Sequence, residues 1–398
     1  MKRLHRYALV TGLILGMAAC GSDESSAGAA PARSAVSGDD GPLKLASRDL
    51  LKVVYIGGSI TEGAFSSVPE KSYASLLTAW FETLYPRVEA RNVGLGGTGS
   101  EFAAYRIDHD LDGFAPDLAF VEFAVNDAGT PRPAQIAQID ALVHKLRQKN
   151  PQVKIIYIST TDTGEEPDRR AGRKPDWIQD AAAAAAYSDL QYIDAAAPLW
   201  AKVIAGAPVS TFFKDNVHPN DAGHRVYFET IRDALDTTVP LTTQPRARGG
   251  KLIGQSTLDT ARFDKGSTAA GCRPGSLDLR YMDEALTCDR GESFTYTFTG
   301  TTVGLVKAEV RDGGRLACTI DGARPTTADF YSSATHIYER PFPVFLYRNL
   351  APGRHTLACR VTDERISLPE GSSTGHKVTV GYFMVSDARP VTYVPRGP

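Results

Sequence analysis

Val53-Val54-Tyr55-Ile56-Gly57-Gly58-Ser59-Ile60-Thr61 is an apolar run that breaks into two glycines and a serine. Four apolar residues with no polar alternation read as a strand buried on both faces. The glycines let the chain turn tightly at its end and present the Ser59 hydroxyl there. The same kind of unit recurs downstream. Ser72 to Leu84 has helical spacing through Tyr73, Leu76, Leu77, Trp80, Phe81 and Leu84; Val88 to Val93 reads as a strand and Glu101 to Leu111 as a helix. Asp117 to Ala124 is a nearly all-apolar strand, Pro133 to Lys149 a helix, Val153 to Ile158 a strand, Asp176 to Tyr187 an Ala-rich helix, Leu190 to Ile193 a strand and Asn220 to Leu235 a last helix. Buried strands alternating with helices predict a parallel sheet in a doubly wound α/β layer over residues 48–240, with its chemistry at the carboxyl ends of the strands.

Composition changes beyond residue 240. Thr242 to Gly250 reads as part of a linker, placed at 241–252. Residues 253–398 hold short alternating segments separated by Gly and Pro turns: Ser293 to Phe298, Thr302 to Val306, Arg315 to Ile320, Thr356 to Val361 and Lys377 to Met384. That pattern predicts an all-β sandwich. Its aromatic residues, Tyr296, Phe298, Tyr331, Tyr338, Phe342, Phe345 and Tyr347, are read first as core, with a sugar-binding platform as the sharper alternative.

The N-terminus has a different purpose. Lys2, Arg3 and Arg6 precede the short apolar stretch Tyr7 to Met17, and Met17-Ala18-Ala19-Cys20 follows. This is the layout of a secretory signal over residues 1–19. Its end resembles a bacterial lipobox, which implies cleavage before Cys20, lipidation of that cysteine and a membrane anchor. By resemblance to known sorting patterns, Gly21 and Ser22 after it point to the outer membrane. Residues 20–47 are Gly, Ser, Ala, Asp and Pro with few large apolar side chains, and read as a tether with a reach of roughly 25–30 Å. Net charge is −2, which offers no electrostatic footprint for nucleic acid.

Four further cysteines, Cys272, Cys288, Cys318 and Cys359, all fall in the C-terminal third. In an exported chain they read as two disulfides. Of the three connectivities, Cys272–Cys288 with Cys318–Cys359 is preferred, because Leu316-Ala317-Cys318 and Leu357-Ala358-Cys359 look like strands of one sheet. Zinc ligation is the rival, without a Cys-x-x-Cys spacing to support it.

Four pieces of sequence stand where strand ends are expected. Gly57-Gly58-Ser59 follows the first strand, Asn92-Val93-Gly94-Leu95-Gly96-Gly97 the second and Ala124-Val125-Asn126-Asp127 the third. Asp215-Asn216-Val217-His218-Pro219 precedes the last helix. Asp and His three apart can meet, the carboxylate taking Nδ1–H and leaving the other ring nitrogen to accept a serine proton. In this order the four pieces resemble the SGNH (GDSL-like) hydrolases over roughly residues 50–238. The resemblance implies a flavodoxin-like α/β/α fold, a Ser59 nucleophile, a His218 base oriented by Asp215, and an oxyanion hole of Ser59 N–H, Gly97 N–H and the Asn126 side chain. One departure is visible: the family's Gly-Asp-Ser is Gly57-Gly58-Ser59 here. Phe120 to Asp127 is similar to members acting on polysaccharides, and the C-terminal part to jelly-roll modules of carbohydrate esterases.

The expectation is a serine esterase that removes O-acyl groups, acetyl foremost, from a carbohydrate without metal or cofactor. O-acetyl transfer to a glycan and a non-catalytic glycan-binding lipoprotein are the competing readings. Glu122 and Asp127 could suggest a carboxylate pair for glycoside hydrolysis but are read as structural, as are His109, His144, His224, His336, His355 and His376. Thr160, Thr161 and Asp162 are candidates for the pocket lining.

Overall fold

The computed structural model describes residues 49–236, 250–253, 258–266 and 270–395. The expected signal segment, Cys20 and its tether, and most of the expected linker lie outside these residues.

The first part alternates strands and helices: β1 (Leu50–Gly57), α1 (Ser59–Glu62), α2 (Tyr73–Leu84), β2 (Arg87–Asn92), α3 (Ser100–Asp110), β3 (Leu118–Glu122), α4 (Arg132–Lys149), β4 (Lys154–Ser159), α5 (Glu166–Arg170), α6 (Asp176–Tyr187), β5 (Gln191–Asp194), α7 (Ala197–Ile204) and α8 (Asp221–Asp236). The strands form one parallel sheet in the order β2-β1-β3-β4-β5. Alternation along β1 sends Val53 and Tyr55 into the core under α2, α7 and α8, and Val54 and Ile56 into the core under α3, α4 and α6. The chain leaves β1 on both sides, to β2 and to β3, so a crevice opens at the carboxyl end of β1.

Three local features differ from expectation. β2 is an edge strand with mostly exposed residues; among the described residues it pairs with β1 alone. The Ser59 turn continues into a one-turn helix, α1, which Gly63 ends in the left-handed conformation at φ +99. Ala197–Ile204 is an additional helix whose Leu199, Trp200 and Val203 are buried.

The second part contains β6 (Gly250–Ile253), β7 (Arg262–Asp264), β8 (Ala270–Gly271), β9 (Arg273–Gly275), β10 (Ala285–Cys288), β11 (Ser293–Thr299), β12 (Thr302–Glu309), β13 (Arg315–Ile320), β14 (Ala323–Asp329), β15 (Arg340–Tyr347), β16 (Arg354–Val361), β17 (Ser367–Leu368), β18 (Gly371–Ser372), β19 (Val378–Ser386) and β20 (Thr392–Pro395). Two antiparallel sheets dominate, β15-β12-β19-β10-β9 with β7 beside β19, and β14-β13-β16-β11-β8. Phe294, Tyr296, Leu316 and Leu357 from one sheet pack against Val303, Leu305, Val380 and Phe383 from the other. Disulfides join Cys272 to Cys288 and Cys318 to Cys359, the second pair lying directly opposite each other on β13 and β16.

The two parts share a core. Leu95, Phe102, Ala104, Tyr105 and Ala141 of the α/β part pack with Tyr281, Met282, Val306, Ala308, Tyr382 and Met384 of the β part. Tyr105 Oη and Ser386 Oγ are 2.7 Å apart within this contact. Arg106 and Asp110 form a buried pair on α3, and Asp110 Oδ1 accepts hydrogen bonds from Arg280 Nη2 and Tyr281 Oη, each at 2.7 Å. A buried charge is tolerated only when paired and hydrogen-bonded, so this junction has a defined geometry.

Candidate active site

Ser59 is the first residue of α1, at the carboxyl end of β1. The turn that carries it leaves no room for side chains. A Cβ on Gly57 would come 2.1 Å from Thr61 Oγ1, and one on Gly58 would come 2.0 Å from Asn126 Oδ1. The departure from Gly-Asp-Ser therefore has a local reason: Asn126 occupies the space beside Gly58.

His218 Nε2 stands 2.9 Å from Ser59 Oγ, and His218 Nδ1 stands 2.8 Å from Asp215 Oδ2. Asp215 Oδ1 also accepts from the backbone N–H groups of Val217 and His218, both at 2.7 Å. Partial burial pushes the Asp215 carboxyl up, but the hydrogen bonds from His218 and Val217 outweigh it and hold the carboxyl below its ordinary value. Thr163 secures the loop, its N–H and hydroxyl donating to Asn216 O at 2.8 and 3.0 Å. Asn220 Oδ1 caps α8 by accepting from Ala222 and Gly223 N–H, which sets where the loop ends.

Gly97 takes φ +72, a conformation that favours glycine. Its loop is stitched to the Ser59 turn: Leu95 N–H donates to Gly57 O at 3.0 Å, Gly96 N–H to Glu62 Oε2 at 2.9 Å and Asn92 Nδ2 to Thr61 O at 2.6 Å. Asn126 sits on the turn after β3, against Gly58. The structure thus brings Ser59, His218, Asp215, the Gly97 loop and Asn126 to one crevice. Chemically, the arrangement can move a proton from Ser59 Oγ to an imidazole whose other nitrogen is held by a carboxylate.

The remaining sequence candidates fall elsewhere. Glu122 is buried below α1, accepting from Thr160 Oγ1 at 2.7 Å and Thr61 Oγ1 at 3.2 Å, and burial pushes its carboxyl up to about 7. Asp127 accepts from Ser100 N–H at the start of α3, and burial pushes its carboxyl up to about 6. Thr160 and Thr161 are buried on Glu122 and Trp200 rather than lining the crevice, and Asp162 caps a short turn. His224 is fully buried, its ring between Tyr73 N–H and Ala64 O, and burial lowers it to about 4. Of the aromatic residues weighed as a sugar platform, Tyr296, Phe298, Tyr331 and Tyr347 are buried.

Two sets of residues at the crevice escape sequence reasoning. Phe65, at φ +62 and 51% exposed, places its ring 5.0 Å from that of His218. From the β part, Arg340 and Phe342 of β15 lie against Gly97, where a Cβ would meet Arg340 Nη1 at 3.2 Å and Phe342 Cε2 at 3.4 Å. Arg340 is held by Glu309 Oε2 at 2.8 Å and lies 4.2 Å over the Phe342 ring. Ile337 and Tyr338, just before it, are 80% and 49% exposed. Only the pairing of parts reveals these residues, since they are some 240 positions from Gly97 in sequence. A separate open groove of about 1150 Å³ is lined among others by Ala128, Arg173, Asp176, Trp177 and Asp180.

Comparison with known proteins follows this geometry. Residues 55–226 match the model of the GDSL-like Lipase/Acylhydrolase family. The fold of both parts together is shared with a two-domain esterase active on acetylated mannans, solved alone and with mannopentaose. Identity is 18% in each case, with TM-scores of 0.70 and 0.69. The alignments cover 85% and 86% of this chain and 92% of that one. An acetylxylan esterase from Geobacillus stearothermophilus matches over 46% of this chain and 94% of its own, at 18% identity and a TM-score of 0.38. No curated protein sequence matches. The matched residues 55–226 take in Ser59, Gly97, Asn126, Asp215 and His218, and the chain is a carboxylic ester hydrolase.

Proposed function

We propose that the chain is a serine esterase that removes small acyl groups, acetyl foremost, from a carbohydrate. The observation that carries the reading is the hydrogen-bonded line from Ser59 Oγ through the His218 ring to Asp215. Ser59 Oγ attacks the acyl carbon while His218 Nε2 takes its proton. Ser59 N–H, Gly97 N–H and the Asn126 side chain receive the oxyanion. The bond between the acyl carbon and the sugar oxygen breaks, and His218 gives its proton to that oxygen, which leaves as the free hydroxyl. Water then attacks the acyl-enzyme by the same route, releasing acetate and free Ser59.

A carbohydrate substrate is supported by the exposed rings of Phe65, beside His218, and of Tyr338, beside Arg340. It is supported also by the shared fold with an esterase active on acetylated mannans. Export and anchoring through lipidated Cys20, with an outer-membrane address, belong to the same proposal; the two disulfides support an oxidising compartment. Incorporation of labelled fatty acid into the wild type and its loss in Cys20→Ser would test the anchor.

The central test compares wild type with Ser59→Ala for acetate release from p-nitrophenyl acetate and from acetylated mannan, xylan and pectin. Release by wild type alone, with folding unchanged, supports the esterase and ranks its glycans. Equal release by both proteins removes Ser59 from its role.

A further inference from the structure

We infer that Glu62 is a positioning residue for the acyl-transfer site, holding the Gly94–Gly97 loop in register with Ser59 through the Gly96 N–H. The inference rests on the esterase reading of Ser59, His218 and Gly97.

Glu62 closes α1, three residues after Ser59. Its Oε2 accepts from Gly96 N–H at 2.9 Å. A Cβ on Gly96 would lie 3.0 Å from that same oxygen and 3.6 Å from Ser59 Cβ, so the Gly96 α-carbon rests on the carboxylate and the serine together. One residue earlier the fit is closer still, with Gly94 backed directly on the Glu62 backbone: a Cβ there would lie 2.4 Å from Glu62 N. Gly97 is the next residue along, and on its far side stand Arg340 and Phe342. The loop is therefore clamped between α1 and β15, and Glu62 is the side chain of α1 that grips it.

Glu62 is exposed as a residue, yet desolvation by the surrounding protein raises its carboxyl above the ordinary value, against the opposing pull of the Gly96 N–H and of Arg280, Arg106 and His218. Arg280 reaches the same loop from the β part, donating from Nη1 to Gly94 O at 3.3 Å. An exposed glutamate whose oxygen is committed to a glycine N–H contributes little to global stability. Its effect is on where the next N–H points, and a displacement of about 1 Å at such a donor can cost about 10²-fold in rate.

The test measures kcat and KM on p-nitrophenyl acetate for wild type, Ser59→Ala, Glu62→Ala, Glu62→Met and Glu62→Gln, with melting temperature as the folding control. Glu62→Ala and Glu62→Met, which lack the acceptor, are expected to lower kcat about 10- to 100-fold with KM within about twofold. Glu62→Gln keeps an acceptor oxygen for Gly96 and is expected to stay within about threefold of wild type. Wild-type kcat in both acceptor-free variants overturns the inference. So does a Glu62→Gln as slow as Glu62→Ala, since charge rather than the bond to Gly96 would then be at stake. If Ser59→Ala is itself as active as wild type, the esterase reading fails, and that outcome is separate from the other two.

Discussion

Gly58 and Asn126 exclude one another's side chains: a Cβ at position 58 would lie 2.0 Å from Asn126 Oδ1. Asn126 is the movable partner, because its amide is the far end of a side chain. Gly58→Ala is thus expected to leave the melting temperature within a few degrees of wild type. It should lower kcat on p-nitrophenyl acetate about 10²-fold by pushing Asn126 out of the oxyanion site. Asn126→Ala should cost about the same, and the double variant little more than either single one, since both remove one donor. Additive losses would show that the two substitutions act separately.

Asp215 holds His218 by its ring nitrogen and by the backbone at once. Asp215→Asn keeps the size but lets the imidazole take the wrong tautomer. A fall in kcat of about 10²–10⁴ is expected, with KM and circular dichroism unchanged. A loss below tenfold would show that His218 is oriented by its loop alone.

The β15 residues at Gly97 predict a split between substrates. Arg340→Ala should raise KM on acetylated polysaccharide about tenfold while changing p-nitrophenyl acetate hydrolysis less than threefold. Equal effects on both would show that Arg340 acts by holding the Gly97 loop instead of along the sugar.

Burial of Glu122 makes stability depend on pH in a stated direction. Its carboxyl, about 4.5 when unfolded, titrates at about 7 in the fold. Below about 4.5 both states are protonated and nothing is lost. As pH rises toward 7 the unfolded chain ionises first and gains relative stability, so the fold weakens by at most about 3 kcal/mol and then levels off. Urea unfolding at pH 5 and pH 8 should show the wild type more stable at pH 5, and Glu122→Gln should reduce that difference. A wild type equally stable at both values counts against the buried, protonated carboxyl.

Asp110 is expected to tie the two parts into one unfolding unit. Asp110→Ala leaves Arg106 buried without its carboxylate, a loss of about 3–5 kcal/mol. Calorimetry should show the single transition of the wild type move down by several degrees. A separate early transition for the β part would show that the junction does not couple them.

Strand positions and the four site motifs are legible in sequence because both follow from short-range rules. Val53 to Ile56 alternate between two cores, and glycines mark the turns at strand ends. Asp215 and His218 meet because three residues bring them onto one turn. Glu62, Phe65 and Arg340 were not legible for distinct reasons. Glu62 looks like any solvated helix-end carboxylate until Gly96 is seen against it. Phe65 adopts a left-handed backbone that no side-chain pattern announces. Arg340 depends on how a β-sandwich docks on α3, a relationship carried by scattered apolar residues such as Tyr105 and Tyr382 and by no motif. Thr160 and Thr161 follow a strand end as pocket residues do, yet they serve a buried carboxylate and an indole.

The apolar face that Phe102, Tyr105 and Ala141 present to Tyr281, Met282 and Tyr382 has a practical meaning for anyone who would engineer this chain. A hydrolase cut free at residue 240 would display that face to water and would tend to self-associate before it could be assayed. The β part is not cargo that can be exchanged for another domain. Shuffling it would remove one wall of the crevice and half of a joint interior, so inheritance of the two segments should be linked, each residue change on α3 needing an answering change on the sandwich.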